Sequence, residues 1–245
     1  MIEWADDAIV LSSRPHGESA AVVQVMTRGH GRYAGLVRGA RGRGGRGIYE
    51  PGNEVRANWK ARLAEHLGTL TCELTGGRAA RWLDDPPRLA GISAACAVAE
   101  ASLPEREPHA AVYDGMIALL DALELESWPA VYIKWELGVL SELGYGLDLE
   151  RCAATGSNDS LAYVSPRTGR AVSLAAAEPY RDRLLPLPGF LLGAGLSGPR
   201  ELVDGLKLTG HFLERHVFAA RHAPLPTARQ RLLEKLGDLV HVPVG

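Results

Sequence analysis

The residues best placed to do chemistry are six arginines in a stretch free of acids. No Asp or Glu falls between Glu18 and Glu50, while Arg28, Arg32, Arg38, Arg41, Arg43 and Arg46 do, with His30 among them. The centre of the stretch, residues 38–47, reads RGARGRGGRG. Glycine carries no side chain, so its backbone can approach a phosphate closely while neighbouring guanidiniums reach it with forked donors. Arginine–phosphate pairs are charge-assisted and can be bidentate. Such a loop is expected to be mobile when free and ordered by a polyanion. Lys60 and Arg62 extend the cationic set from the polar face of a candidate strand. The competing reading is a solvated face, the usual fate of a charge run. Tyr33, Tyr49 and Trp59 are available to stack on bases, although each could equally be core. Trp59 shares a face with Val55 and Ala57, which favours the core for it.

Other chemistries find no support. Residues 193–198 satisfy GxGxxG, but a dinucleotide site needs a preceding buried strand, and here the lead-in is Pro186-Leu-Pro188-Gly189 with Pro199 directly after. His211, His216 and His222 lack the spacing and carboxylate company of a catalytic zinc site. No P-loop, HExxH or GxSxG occurs. The residues give no nucleophile–base pair, no metal site and no cofactor site, and the expectation is a non-enzyme.

Five short strands must position the cations. Ala8–Ser12, Ala20–Thr27, Tyr33–Arg38, Glu54–Arg62 and Leu70–Leu74 are β-favouring runs with Gly-rich connections and no long helix between them. The fourth is the clearest: Val55, Ala57, Trp59 and Ala61 face one way, Arg56, Asn58, Lys60 and Arg62 the other. This pattern predicts a small closed barrel. After Gly77 the period becomes helical, with starts at Pro86–Pro87, a second helix through Val112 and Leu123, and a third from Val131 closed by Gly144. Residues 145–173 break the run into short β-like pieces such as Leu161–Ser165, and helices return at Leu202–Val217 and Ala228–Val240. The fold class is therefore α+β.

The 245 residues have a net charge of −2, but residues 1–80 carry +3 and the remainder −5, an asymmetry that points to a basic front binding a polyanion. Cys72, Cys96 and Cys152 are too few for a disulfide framework and fit a reducing cytoplasm. The acidic start MIEWADD does not read as a signal peptide. No run approaches the ~18 apolar residues of a membrane helix.

Several segments, in order, resemble the RecO family of bacterial recombination mediators in gap repair. They are Ala8-Ile-Val-Leu11 with Arg14, Gly17 and Glu18; Thr27-Arg-Gly-His-Gly31; and Arg38-Gly-Ala-Arg41 before the Gly/Arg loop. Leu143-Gly-Tyr-Gly-Leu-Asp148 into Cys152, Tyr163-Val-Ser-Pro166 with Gly169, Leu225-Pro226, Ala228-Arg229 and Arg231-Leu232 continue the match over nearly the whole chain. The resemblance implies an N-terminal OB-fold over 1–78 and a helical domain over 79–245. An inserted zinc-finger-like segment is implied at 145–175. It also implies binding of single- and double-stranded DNA, strand annealing, partnership with RecR and with the single-strand-binding protein, and help in loading RecA.

On this reading the DNA-binding residues are Arg32, Arg38, Arg41, Arg43, Arg46, Lys60 and Arg62. The acidic helical body stays off DNA and takes the acidic tail of the single-strand-binding protein, and the protein is cytoplasmic, associating with the nucleoid during repair. Some members hold zinc with four cysteines. Here Cys152 stands at the first position, but Thr155, Ser173 and Ala176 stand at the others, so the segment is expected to be metal-free, packed around Leu147, Leu161, Tyr163 and Val172. A protein-partner scaffold and an OB-type RNA binder are the alternatives.

Overall fold

A computed structural model describes residues 2–42, 45, 47–63, 65–195 and 198–240. Packing divides the chain into two compact units, 1–120 and 121–245.

The first unit is built on a closed five-stranded barrel: β1 Ile2–His16, β2 Ala20–Thr27, β3 Gly31–Val37, β4 Glu54–Ala61 and β5 Thr69–Gly76. The strand order is β1-β2-β3-β5-β4, closed by pairing of β4 with β1. β3 meets β5 in parallel at Leu36 and Thr69, and the other neighbours are antiparallel. This is the connectivity of an OB barrel. β4 behaves as its alternation dictates: Val55, Ala57, Trp59 and Ala61 are buried while Arg56, Asn58 and Lys60 are exposed.

β1 is much longer than the run Ala8–Ser12 predicts. Its first half pairs with β4 and its second half with β2, and a bulge between Val10 and Ser12 lets it turn the barrel's corner. Its acids hid it. Asp7 lies opposite Arg56 and takes its guanidinium at 3.1 Å, so a carboxylate that weakens a strand signal serves as a cross-strand charge partner.

Helices α1 Arg78–Arg81, α2 Pro86–Ser102 and α3 Ala110–Ala122 follow. The Asp85 side chain caps α2, accepting from the Arg88 amide at 3.0 Å, with Pro86 and Pro87 in the first turn. Ile92 of α2 presses on Gly52, whose φ is +88°; a Cβ there would lie 2.3 Å from the isoleucine. That position therefore excludes every side chain.

The second unit contains α4 Trp128–Glu142, then β6 Leu161–Val164, β7 Ala171–Ser173, the short α5 Leu174–Ala177, β8 Leu185–Pro186, α6 Pro199–Phe212 and α7 Thr227–Asp238. The three strands form one small sheet, order β7-β6-β8. Between Leu213 and Phe218 α6 widens into a π-helical turn. α4, α6 and α7 are tied by a buried polar knot. Arg229 donates to both Glu136 carboxylate oxygens, at 2.6 and 3.0 Å, and to the Leu206 carbonyl at 2.6 Å. Tyr132 donates to Glu136 at 2.8 Å, and the Thr209 hydroxyl also donates to it. Charge so deeply buried survives only because every partner is present. Among the described residues no helix is long and apolar enough to cross a membrane.

Candidate nucleic-acid interface

The β3–β4 connection carries the arginine-rich loop. It is a chain of tight turns: the amides of Gly42, Gly45 and Ile48 donate to the carbonyls of Gly39, Gly42 and Gly45 at 3.0–3.2 Å. Buried Asn53 anchors it, donating to the carbonyls of Gly47 at 2.6 Å and Ile48 at 3.2 Å. In the described part of the loop these bonds make a series of turns.

Arg38 stands exposed at the start of this loop. Arg41 leans over the β1–β2 turn, donating to the carbonyls of Gly17 at 3.4 Å and Glu18 at 3.3 Å. Arg43 and Arg46 lie outside the described residues. Lys60 and Arg62 are exposed at the end of β4 and rim a cavity of about 750 Å³ with Leu36, His66 and Leu67. Among the described residues Arg38, Arg41, Lys60 and Arg62 form no ion pair, so their charge is available to a ligand.

Arg32 differs. Its side chain is only 13% exposed and donates to Gln24, the Leu103 carbonyl and Glu105 at 3.1–3.3 Å. It braces β3 against the segment after α2 rather than facing solvent. The gap in acids along the sequence is likewise not a gap in space. Asp114 grips Arg28 through two bonds of 2.8 and 3.0 Å, and Glu100 takes Arg14 at 2.6 Å. Hydrogen bonding and Coulomb attraction to Asp114 push the Arg28 guanidinium further up, and the same bond holds the Asp114 carboxyl below its ordinary range.

The aromatic residues form a core cluster. Trp59 is buried and its indole N–H is shared between the carbonyls of Ala34 and Leu67. Trp4 stacks on Trp59 and on His30, and Tyr33 meets both tryptophans edge-on at 5.1 Å. Arg106 sits over the Tyr33 ring at 5.5 Å. The sequence places Trp59 rightly, sets His30 among the cations of the loop rather than in this cluster, and does not single out Trp4 or Arg106. Trp4 shares parity with Ala8 and Val10 on β1, a signal obscured by the intervening Asp6. Tyr49 is half-buried and packs on the barrel core, and burial pushes its hydroxyl up.

In the second unit Cys152, Thr155 and Ser173, three of the four positions at which the resemblance implied thiols, converge. The Ser173 amide approaches the Cys152 Sγ at 3.3 Å, and the Cys152 thiol reaches the Ser173 hydroxyl at 3.5 Å. Burial pushes this thiol up, but hydrogen bonds from Ser173 and Thr155 outweigh it and bring it down to about 6. Burial sends Cys72 and Cys96 the other way, to about 12. One sulfur, two hydroxyls and the methyl of Ala176 do not make a tetrahedral zinc site, which wants four nitrogen or sulfur ligands. No cluster of three or more His, Cys, Asp or Glu capable of holding a metal occurs among the described residues. His211 instead bonds the Pro166 carbonyl at 3.1 Å, and His216 stacks between Tyr145 and Phe212.

A closed OB-type barrel with exposed cations on the β3–β4 loop and at the end of β4, followed by helices and a small sheet, defines an α+β protein with a candidate polyanion-binding face. The family described as Recombination protein O N terminal matches residues 1–78, and Recombination protein O C terminal matches residues 83–224. The DNA repair protein RecO of Rhodospirillum centenum is 60% identical over 236 residues, covering 96% of this chain and 94% of its own. Those of Rhodospirillum rubrum, at 50% over 244 residues, and Granulibacter bethesdensis, at 51% over 242, cover 96–97% of this chain and 97% of their own. The chain belongs to the RecO family.

Proposed function

We propose that this protein is a recombination mediator in DNA gap repair. It binds single- and double-stranded DNA through the barrel's loops, anneals complementary strands, and helps load the recombinase on coated single strands. The observation that carries the reading is the set of cations that form no ion pair among the described residues, Arg38 and Arg41 on the β3–β4 loop and Lys60 and Arg62 at the end of β4, on an OB-type barrel. The relatives' shared description as DNA repair proteins supports it. Arg43 and Arg46 belong to the same loop by sequence; Arg32, held by Glu105, is left out.

The chemistry is electrostatic. Two strands repel each other, and a surface that neutralises phosphates on both releases their counterions and lowers that barrier. Nothing in this requires bond-making by the protein, so it acts as a binder rather than an enzyme. The barrel domain, 1–78, is assigned to DNA. The helical domain, 79–245 with its degenerate 145–175 segment, is assigned to RecR and the acidic tail of the single-strand-binding protein. The protein works in the cytoplasm, at the nucleoid.

The test is a salt titration. Changing Arg38, Arg41, Arg43 and Arg46 together to Ala weakens binding to every DNA sequence alike and flattens the log–log salt slope by about 3–4 units. An unchanged slope in the folded variant sinks the reading.

A further inference from the structure

The second unit contains a pocket that net charge would not suggest. A cavity of about 720 Å³ opens between residues 153–154, the β6–β7 hairpin tip and the turn after α5. Its wall includes Arg167, Arg170, Arg183 and Tyr180, its floor Val172 and Leu184, and no carboxylate lines it. Arg170 shares its charge with Asp148 at 3.1 Å. Arg167 and Arg183 are exposed and, among the described residues, form no ion pair. Tyr180 is 58% exposed and, among the described residues, no ring packs on it, unlike Tyr33 or Tyr132. The hairpin tip is held in place, because the Pro166 carbonyl accepts from both His211 at 3.1 Å and Arg215 at 3.0 Å.

We infer that this pocket binds a nucleotide of single-stranded DNA, making it a second strand site in the chain. Each element has a physical role. A cavity of this size falls within the ~300–1,000 Å³ typical of small-ligand pockets, which accommodates a base. The bare Tyr180 ring offers that base a stacking face, and two unpaired guanidiniums with forked donors suit the flanking phosphates. An acidic peptide would use the arginines but leave the exposed ring without a role, so the strand is favoured. The inference rests on the DNA-binding reading above and revises it in one respect: part of the 79–245 domain, assigned there to protein partners, also takes DNA. With one strand on the barrel's loops and another here, a single chain holds both partners of an annealing reaction.

The test uses the full chain and a short oligothymidine carrying 5-iododeoxyuridine, crosslinked by light and mapped by peptide mass spectrometry. The expected result is two groups of adducts, one in the barrel and one at Tyr180. Arg167→Glu with Arg183→Glu removes the Tyr180 adduct, keeps the barrel adducts, and slows annealing of complementary strands about tenfold. Tyr180→Ala slows annealing similarly, and Tyr180→Phe, which keeps the ring, restores it. A wild-type chain without a Tyr180 adduct overturns the inference. So does a folded double-glutamate variant that anneals at the wild-type rate, or a Phe variant as slow as the Ala one. Capture of a polyglutamate peptide by the pocket, with no displacement by the oligonucleotide, also overturns it, in favour of a protein partner. Loss of the barrel adducts alone counts against the barrel reading and leaves this site standing.

Discussion

In residues 1–120 Arg38 stands in solvent with no carboxylate partner, whereas in residues 121–245 Arg229 is 0% exposed and gripped by Glu136. The side chain is the same and its consequences are opposite. An exposed, unpaired guanidinium contributes almost nothing to stability but is ready to bind a phosphate. A buried one has given up its hydration and is tolerable only with all its bonds made. Arg32 lies between, mostly covered and bonded to Glu105, Gln24 and the Leu103 carbonyl. Counting arginines therefore overstates a binding face. Solvent exposure and the nearest carboxylate decide which of them are free to meet a ligand.

The largest expected effect probes the buried extreme. Arg229→Ala leaves the Glu136 charge sealed without its partner and costs about 3–5 kcal/mol, read as a lower urea midpoint for the second unit. Replacing both, Glu136→Leu with Arg229→Met, recovers much of that loss; a double variant as unstable as the single would mean the pair's hydrogen bonds, not its charges, matter.

Arg32→Ala sharpens the middle case. Its hydrogen bonds are worth about 1–2 kcal/mol in stability, and the salt slope of DNA binding stays as it was. Arg38→Ala should do the reverse, leaving the melting temperature alone and lowering the slope by about one. If Arg32→Ala flattens the slope as Arg38→Ala does, exposure is the wrong criterion.

A smaller effect comes from Asp85. Burial pushes its carboxyl up, but the Arg88 amide and guanidinium outweigh this and hold it below the ordinary carboxylate range. Asp85→Ala should cost about 1 kcal/mol. Because the folded carboxyl is the stronger acid, its stabilising contribution is complete above the unfolded value near ~4 and is lost as pH falls through the folded value. Thermal melts of both proteins should therefore converge on acidification, and a constant gap would refute the cap's charge.

The smallest expected effect is none. With Cys152 facing Ser173 and Thr155 rather than three more thiols, a chelator should leave the melting temperature unchanged. Elemental analysis should find no stoichiometric zinc. One zinc per chain would mean that other side chains supply the ligands.

Much of the fold is legible in the sequence alone. The alternation of β4, the Val-rich β2, the helix start at Pro86–Pro87 and the glycine closing α4 are local signals, and local sterics produced each of them. β1 was only half visible, since Asp7 makes sense only beside Arg56 on another strand. Of the candidate interface, the exposed positions of Arg38, Arg41, Lys60 and Arg62 follow from loop composition and strand parity. The withdrawal of Arg32 does not, because Glu105 lies 73 residues away along the chain.

By itself the sequence determined the periods, the turns and the composition of the cationic loop, because these depend on neighbours within a few residues. Tertiary structure decided which charges meet. It brought Asp114 to Arg28, Glu105 to Arg32 and Glu136 to Arg229, across 86, 73 and 93 residues. It also gathered Arg167, Arg183 and Tyr180 around one cavity in an acidic half of the chain. Coulomb energy and desolvation depend on distance and burial in space, and a linear pattern of charges contains neither.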